Sequence, residues 1–447
     1  MVLLIALAVF FLFTLLEVPI GLSLIVAGSL GTVLLSGSDR ALDVLAAVPF
    51  TATASYSLFA IPAFILLGAV VSNSGIARHM FFFASKATRR VPNGVAVTTV
   101  GATTLMSGIS GSSAADVASM GRMCVREMTK VGYSLSQSAA IVAAASAFAA
   151  LIPPSIGLVL YGIIAGESVG DMLLAGIIPG LISAATLMTY LMVRGRGKVK
   201  ALAGAPAAQG PAGDSLEQSA SDAKAESRGQ LTGLLVAVAI FGTVLGGLYA
   251  GLLTATEAAG AGALVAIVLV GLLPRTREKK FGTILRASLA ETVTTTGMIF
   301  LLVIGGAIVS YLVVTTSLPE RISEAVLGLP IPPSVVLALF LLVLIVLGMF
   351  LDGLSIMLLT LPIVAPVVVE LGFNPIWFGI LFMKMVEIGL ITPPVGINVY
   401  VAAGMFKGLS VESVFKSVLP FVLLDLAVVA FLFFNPGIVT WLPSQAG

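Results

Sequence analysis

Apolar segments follow one another along most of this chain, and their length restricts its fold more than any other feature. A helix needs about 20 consecutive apolar residues to cross a bilayer. The 447 residues are 58% hydrophobic and only 10% charged, with a mean hydropathy of +1.13. Backbone polar groups inside lipid must be paired within the spanning structure, which favours helices. The sequence therefore predicts an all-α polytopic membrane protein.

The charged and reactive residues exclude several functions. The net charge is only +2, so the composition gives no basis for binding nucleic acid. The single cysteine, Cys124, excludes an internal disulfide, and the single histidine, His79, excludes a His-rich metal site. A membrane-embedded enzyme would need a His, Cys or Ser–Lys constellation, which these two residues do not provide. We therefore expect a protein that is not an enzyme and has no organic cofactor.

A polar segment divides the chain into two similar halves. Residues 194–230 are rich in Ala, Gly, Pro, Ser and charge and lack an apolar period, which predicts a flexible cytoplasmic linker. Landmarks on its two sides match at one offset (393 − 153 = 240). They are Pro153–Pro154 with Pro393–Pro394, Gly108 with Gly348, and Glu17 with Glu257. The sequence thus predicts two repeats, residues 1–193 and 231–447.

Loop charges indicate that the two repeats have opposite orientations. Lys and Arg concentrate in cytoplasmic loops. The first-half loops at 78–90 and 122–130 are basic, whereas their second-half counterparts contain Glu320, Arg321 and Glu324, and then Glu370 alone. Loops that are cytoplasmic in one repeat are therefore expected outside in the other. This pattern predicts inverted-topology repeats.

Each repeat is predicted to hold five crossings and one re-entrant hairpin. The crossings lie near 2–16, 19–36, 56–74, 134–165 and 171–193, and near 231–250, 252–273, 290–315, 374–405 and 411–434. Residues 94–120 and 334–364 are apolar but too interrupted to span, so we interpret them as hairpins. Their tips, at 107–112 and 348–353, are expected near the middle of the membrane.

The Pro–Pro pairs interrupt the predicted crossings 134–165 and 374–405. A proline removes a backbone donor and disrupts the preceding turn, which leaves carbonyl oxygens free. These carbonyls and nearby hydroxyls can bind a small cation, and the helix that starts after each break can attract an anion. A sodium-coupled carrier for a carboxylate is therefore predicted. The candidate cation- and substrate-binding residues are Ser107, Gly108, Ser110, Gly111, Ser112, Pro153, Pro154, Ser155, Gly348, Asp352, Gly353, Thr392, Pro393, Pro394, Gly396 and Asn398.

Two ionisable sites allow more than one interpretation. Asp352 lies in an apolar hairpin, where ionisable residues tend to be functional, but it could also serve as a structural cap or form an ion pair. Glu387 and Lys384 are spaced i, i+3 on one predicted helix, so they could form a local ion pair or take part in coupling.

Several ordered motifs resemble those of one transporter family. The segments SGISGSSAAD, IPPSIGLVLYG, GLLTATEAA, FLDG and EIGLITPPVGINVYVAAG are similar to the large membrane (permease) subunit, DctM/SiaM-like, of the tripartite ATP-independent periplasmic (TRAP) transporters. The resemblance covers the whole chain except the linker. It implies an elevator-type carrier in the bacterial inner membrane that imports a dicarboxylate, keto acid or sugar acid with sodium as the coupling ion.

The resemblance also implies two protein partners. They are a small four-helix membrane subunit (DctQ-like) and a periplasmic solute-binding protein (DctP-like) that delivers the anionic substrate. The alternative is a stand-alone sodium- or proton-coupled di- or tricarboxylate carrier. Transport without any binding protein would favour that alternative.

Overall fold

The computed structural model describes residues 1–88, 90–194, 233, 235–273, 279–328 and 330–446, and all regular elements in these ranges are helical. The first half contains ten α-helices, with a 3-10 turn at Tyr56–Phe59 before the fourth. They are α1 Val2–Leu15, α2 Ile20–Ser36, α3 Ser38–Thr53, α4 Ala60–Ser74, α5 Ile76–Ala87, α6 Gly94–Ser110, α7 Ser113–Lys130, α8 Leu135–Ala149, α9 Ile156–Ala165 and α10 Val169–Arg194.

The second half repeats this succession in its described residues. Its first helix contains one π-helical turn, at Gly242–Gly246. The helices are α11 Leu235–Tyr249, α12 Ala255–Leu272, α13 Phe281–Thr315, α14 Leu318–Leu327, α15 Pro333–Gly348, α16 Gly353–Glu370, α17 Pro375–Gly389, α18 Ile397–Gly404, α19 Val411–Phe434, α20 Pro436–Thr440 and α21 Pro443–Ala446.

Helices of the two halves also pack on each other in equivalent pairs. Helices α7 and α16 begin at Ser113 and Gly353, and α8 and α17 begin at Leu135 and Pro375, so both pairs keep the offset of 240 (353 − 113 and 375 − 135). Helix α7 packs on α18 of the other half, and α16 packs in the same way on α9. Helices α8 and α10 likewise pack on α19 and α17. Such reciprocal packing is what a two-fold relation between duplicated units produces.

The predicted class of an all-α polytopic membrane protein is confirmed. Within the described residues, six helices are long and apolar enough to cross a membrane, and shorter apolar helices, among them α1, α2 and α15, accompany them. Large apolar side chains also cover outer faces, as at Leu12, Leu264 and Leu423, where lipid rather than water would surround them.

Several predicted boundaries differ from the structure. Helix α13 begins at Phe281 instead of near residue 290 and is 35 residues long. Helices α3, α5 and α14 do not coincide with predicted spans, because they are only 16, 12 and 10 residues long and contain charged residues. The predicted linker lies outside the described residues except for Arg194, and the limits of the two repeats stay predictions.

Helices α8 and α17 lie at the centre of the molecule. Every residue from Trp377 to Gly389 of α17 is buried, as are residues 138–148 of α8. Helix α8 is rich in alanine, and its small side chains let α6, α7 and α19 approach closely. Both central helices end shortly before the Pro–Pro pairs, so the two interruptions begin at the ends of the most buried helices.

Candidate functional site: two hairpin tips and two broken helices

Both Pro–Pro pairs interrupt a helix, as predicted. Residues 150–155 separate α8 from α9, and residues 390–396 separate α17 from α18. The two breaks differ in exposure, because Pro153 and Pro154 are buried whereas Pro393 and Pro394 are exposed. Solvent or a ligand can thus approach the second break in this structure, while the first is covered by its neighbours.

Hydroxyl groups at the first hairpin tip converge on Asp116. Ser107 and Ser110 lie in the last turn of α6, as does Gly108, and Asp116 lies in the first turn of α7. The Ser110 hydroxyl donates to Asp116 Oδ1 at 2.6 Å, and the Ser107 hydroxyl donates to the other carboxylate oxygen. A serine that donates its proton keeps its oxygen lone pairs as acceptors. Asp116 therefore holds both hydroxyls so that their oxygens remain available to a cation.

The first tip lies against the break of its own repeat. Gly111 connects α6 to α7 with a φ of 68°, and a Cβ at this position would lie 3.1 Å from the carbonyl oxygen of Pro154. Both the left-handed backbone and the close approach favour glycine here. Ser112 and Ser155 are the N-cap residues of α7 and α9. Their hydroxyls thus have a structural role at the helix starts.

At the second tip, Asp352 caps a helix. Its Oδ1 atom accepts hydrogen bonds from the backbone N–H groups of Leu354 and Ser355, both at 3.1 Å, and its Oδ2 atom accepts one from the Ser355 hydroxyl. Gly353 is the first residue of α16. The structure thus shows the capping contact that the sequence offered as the alternative for Asp352.

The second tip also packs against its own break. Gly348 ends α15, and its backbone contacts Gly389 at the end of α17, where a Cβ on Gly389 would lie 2.6 Å from the Gly348 Cα. Across the tip, the Gly396 N–H donates to the Met349 carbonyl at 3.4 Å. The two glycines allow the backbones of the hairpin and the broken helix to touch.

Two polar residues beside the second break differ in their bonding. The Thr392 hydroxyl, within the break, donates to the carbonyl of Ile388 in the last turn of α17 at 2.6 Å. Asn398, in the first turn of α18, is fully buried, and neither polar atom of its side-chain amide has a partner within the protein. An unpaired buried amide is costly, so it is the candidate residue that most needs a ligand.

The candidate residues are thus brought together in two groups. Each tip meets the break of its own repeat, and α7 and α16 cross to the short helix of the opposite repeat. The described ranges contain no cluster of three or more His, Cys, Asp or Glu side chains. A cation at these tips would therefore depend mainly on carbonyl and hydroxyl oxygens. The individual ligand roles stay predictions.

Three charged residues of this region were not among the predicted site residues. Asp116, Lys384 and Asp425 are all fully buried. Lys384 pairs with Asp425 of α19, and it also donates to the Ser183 hydroxyl of α10 at 2.9 Å. The local ion pair between Lys384 and Glu387, which their spacing suggested, is therefore not the contact that the structure contains.

A bundle in which two broken helices and two hairpin tips meet inside a membrane protein defines a multi-pass transporter permease. The chain belongs to the tripartite ATP-independent periplasmic transporter family, DctM component, whose model matches residues 7–438. This membership confirms the resemblance of the motifs and agrees with the predicted location in the inner membrane.

Relatives with known names support the assignment along nearly the whole chain. The chain is 32% identical over 431 residues to the isethionate TRAP transporter permease protein DctMQ of Oleidesulfovibrio alaskensis, and the match covers 96% of this chain but 64% of that protein. It is 32% identical over 426 residues to the C4-dicarboxylate TRAP transporter large permease protein DctM of Pseudomonas aeruginosa, which covers 95% and 94%. It is 31% identical over 352 residues to the sialic acid TRAP transporter large permease protein SiaM of Vibrio cholerae, which covers 78% and 77%.

A solved structure shares the fold. The crystal structure of the YdaH transporter of Alcanivorax borkumensis, described as having an unusual topology, superposes with a TM-score of 0.62 over 89% of each chain. The sequences are only 14% identical, so this similarity concerns the fold alone.

Proposed function

We propose that this chain is the large permease subunit of a carrier that imports a small carboxylate by coupling it to sodium entry. Relatives named for C4-dicarboxylate and sialic acid, both carboxylates, support this substrate class. One relative is named for isethionate, a sulfonate, which is another small anion. The shared requirement is a negatively charged group, which agrees with helix starts at the binding site.

The packing of each hairpin tip on a broken helix is the observation that supports coupling most strongly. Gly111 approaches the Pro154 carbonyl, and Gly396 bonds to Met349. Each tip thus offers carbonyl oxygens, and the first adds the hydroxyls that Asp116 orients. Oxygens in this arrangement can replace the water around a small cation. The buried amide of Asn398 offers the two N–H donors of its NH2 group and a carbonyl acceptor beside the second break, where the substrate anion or a cation would bind.

We further propose that the subunit works by an elevator-type movement with two partners. The family is tripartite, and two of the relatives are named large permease proteins, which supports a small four-helix membrane subunit and a periplasmic solute-binding protein. In this arrangement α6–α10 and α15–α19 move together, because their hairpins and broken helices interlock. Helices α2, α4, α12 and α13 pack on one another and would form the stationary part.

Uptake into proteoliposomes tests this function. Liposomes containing the subunit, its small membrane partner and the binding protein should accumulate C4-dicarboxylates or sugar acids only when a sodium gradient is imposed. Omitting the binding protein should remove uptake even at saturating free substrate. Uptake by this chain alone, driven by sodium or by protons, would instead support the stand-alone carrier.

A pair of serine variants tests the location of the cation site. Ser110→Ala removes one of the hydroxyls at the first tip, and we expect it to raise the sodium concentration needed for half-maximal uptake. Ser119→Ala is the matched control, since Ser119 lies on the exposed face of the adjacent helix α7. Equal sodium dependence in both variants and the unsubstituted protein would remove the first tip from the proposed site.

A further inference from the structure

The interior beside the first hairpin contains more acidic than basic side chains. Asp116, Asp425 and Lys384 are fully buried, and Glu387 is 6% exposed. Lys384 forms an ion pair with Asp425 and donates a hydrogen bond to the Ser183 hydroxyl. Its Nζ atom also lies 4.8 Å from the centre of the Phe148 ring. One cation therefore compensates one of the three acids. Uncompensated charge is expensive in this setting, so Asp116 and Glu387 need other means of neutralisation.

Asp116 and Glu387 have unequal surroundings. Asp116 accepts hydrogen bonds from two hydroxyls, those of Ser107 and Ser110, which stabilise its ionised form. Glu387 interacts with the Ser113 hydroxyl, but its Oε2 atom is buried and has no partner in the protein. Of the two carboxyl groups, Glu387 is thus the one whose charge is less well stabilised. Its partner Ser113 lies outside the predicted cation-binding residues.

The charged groups that act on Glu387 come from three helices. They are Asp116 of α7, Lys384 of its own helix α17 and Asp425 of α19. Helices α8 and α15, which also pack on α17, contain no charged residue. The Tyr161 hydroxyl of α9 donates a hydrogen bond to the Pro375 carbonyl at 2.8 Å. The other charged residues on helices packed against α17 lie within the first two turns or the last turn of their helices, namely Asp171, Arg194, Glu370, Glu412 and Lys416.

We propose that Glu387 is a proton-binding site of the permease and is a neutral carboxylic acid at neutral pH. A proton on Oε2 removes the uncompensated charge and supplies a donor at the atom that has no partner. It also removes repulsion between α17 and the first turn of α7, where Asp116 lies. The protonated acid therefore holds the first hairpin against the central helix. Loss of the proton at alkaline pH places two negative charges side by side and weakens this contact.

Infrared spectroscopy of the full-length protein tests protonation directly, without any substitution. A protonated carboxyl group has a carbonyl band distinct from that of a carboxylate, and 13C-labelled glutamate shifts only the glutamate bands. Glu387 is the only buried glutamate in the described parts of the chain. We expect a carboxylic-acid band at neutral pH that shifts on 13C-glutamate labelling and disappears as pH rises. A spectrum in which labelling leaves the carboxylic-acid region unchanged would overturn the proposal.

Variants test the consequence for transport. Uptake by the unsubstituted protein should decline at alkaline pH, since the protonated fraction falls about tenfold per pH unit above the midpoint. Glu387→Gln keeps a neutral donor that cannot ionise, so its uptake should persist where that of the unsubstituted protein is lost. If uptake by the two proteins depended on pH in the same way, the proton on Glu387 would have no role in the contact between the first hairpin and α17.

These measurements separate the proton site from sodium coupling. The infrared band is recorded without transport, so it can be present even if uptake proves independent of sodium. Conversely, sodium-dependent uptake with no labelled carboxylic-acid band would leave the proposed function intact and remove the proton site.

Discussion

The pair of Lys384 and Asp425 shows how one buried contact can join four helices. Through Ser183 and the Phe148 ring, this pair connects α17 and α19 of the second half to α10 and α8 of the first. Removing one member of a buried pair leaves an isolated charge, which costs more than the loss of the attraction itself. The pair therefore stabilises the packing of the two halves at the centre of the molecule.

We expect Lys384→Met to lower the free energy of unfolding by about 3–5 kcal/mol, because Asp425 would remain charged and buried. The double variant Lys384→Met with Asp425→Leu should recover most of this loss. Denaturant unfolding of the purified protein in detergent measures both. Lys416→Met is the control, since its ion pair with Glu412 is exposed and should have little effect. Additive losses in the double variant would show that the two residues do not depend on each other.

Asp352 gives a second test at the scale of a residue. As the N-cap of α16 it accepts two backbone N–H groups, so Asp352→Ala should lower the free energy of unfolding by about 1 kcal/mol. Asparagine caps helices about as well, so Asp352→Asn should be nearly neutral in stability. Thermal unfolding in detergent distinguishes the two variants. A large loss in Asp352→Asn would instead point to a requirement for the negative charge.

At the scale of the elements, the contact between α15 and α17 depends on two glycines. A Cβ at Gly389 would meet backbone atoms of Gly348 and Ile345 at 2.6–2.9 Å, and backbone cannot move aside as a flexible side chain can. Gly389→Ala should therefore displace the second hairpin and strongly reduce uptake. Gly404→Ala is the matched control, because nothing lies within 4 Å of a Cβ there. Uptake and thermal stability should be compared at equal protein density, and equal behaviour of the two variants would contradict this packing argument.

The elements that the sequence predicted well are those with a local physical cause. Proline removes its own N–H wherever it stands, so both helix breaks could be located from the sequence alone. The links between the paired helices also fall at the residues predicted as tips, since they contain Gly111 and Asp352, residues typical of a turn and an N-cap. The depth of these tips in the membrane stays a prediction.

The contacts that the sequence could not predict join distant residues. Lys384 is 41 positions from Asp425 and 201 from Ser183, whereas Glu387 is three positions away and was the evident partner. Asp116 is the last residue of the motif SGISGSSAAD, but nothing local in the sequence indicates that its carboxylate accepts hydrogen bonds from Ser107 and Ser110. The start of α13 was placed too late because Arg286 and Glu291 lowered the apolar character of its first turns.

At the scale of the whole molecule, the two halves combine a shared order of helices with opposite charge at equivalent positions. Lys130 at the end of α7 corresponds to Glu370 at the end of α16 (370 − 130 = 240). Glu167 after α9 corresponds in the same way to Lys407 after α18 (407 − 167 = 240). Because lysine and arginine favour the cytoplasmic side, each equivalent pair should be divided between the two sides of the membrane.

Single cysteines at these four positions test the inverted orientation. In a Cys124→Ser background, Lys130→Cys and Lys407→Cys should react with an impermeant maleimide only after the inner membrane is opened. Glu370→Cys and Glu167→Cys should react in intact spheroplasts. A cysteine at position 210, in the predicted cytoplasmic linker, should behave like the lysine positions. If the two members of an equivalent pair label from the same side, the halves are parallel rather than inverted. The Pro–Pro breaks would then face the same direction, and the inverted relation between the two halves would not hold.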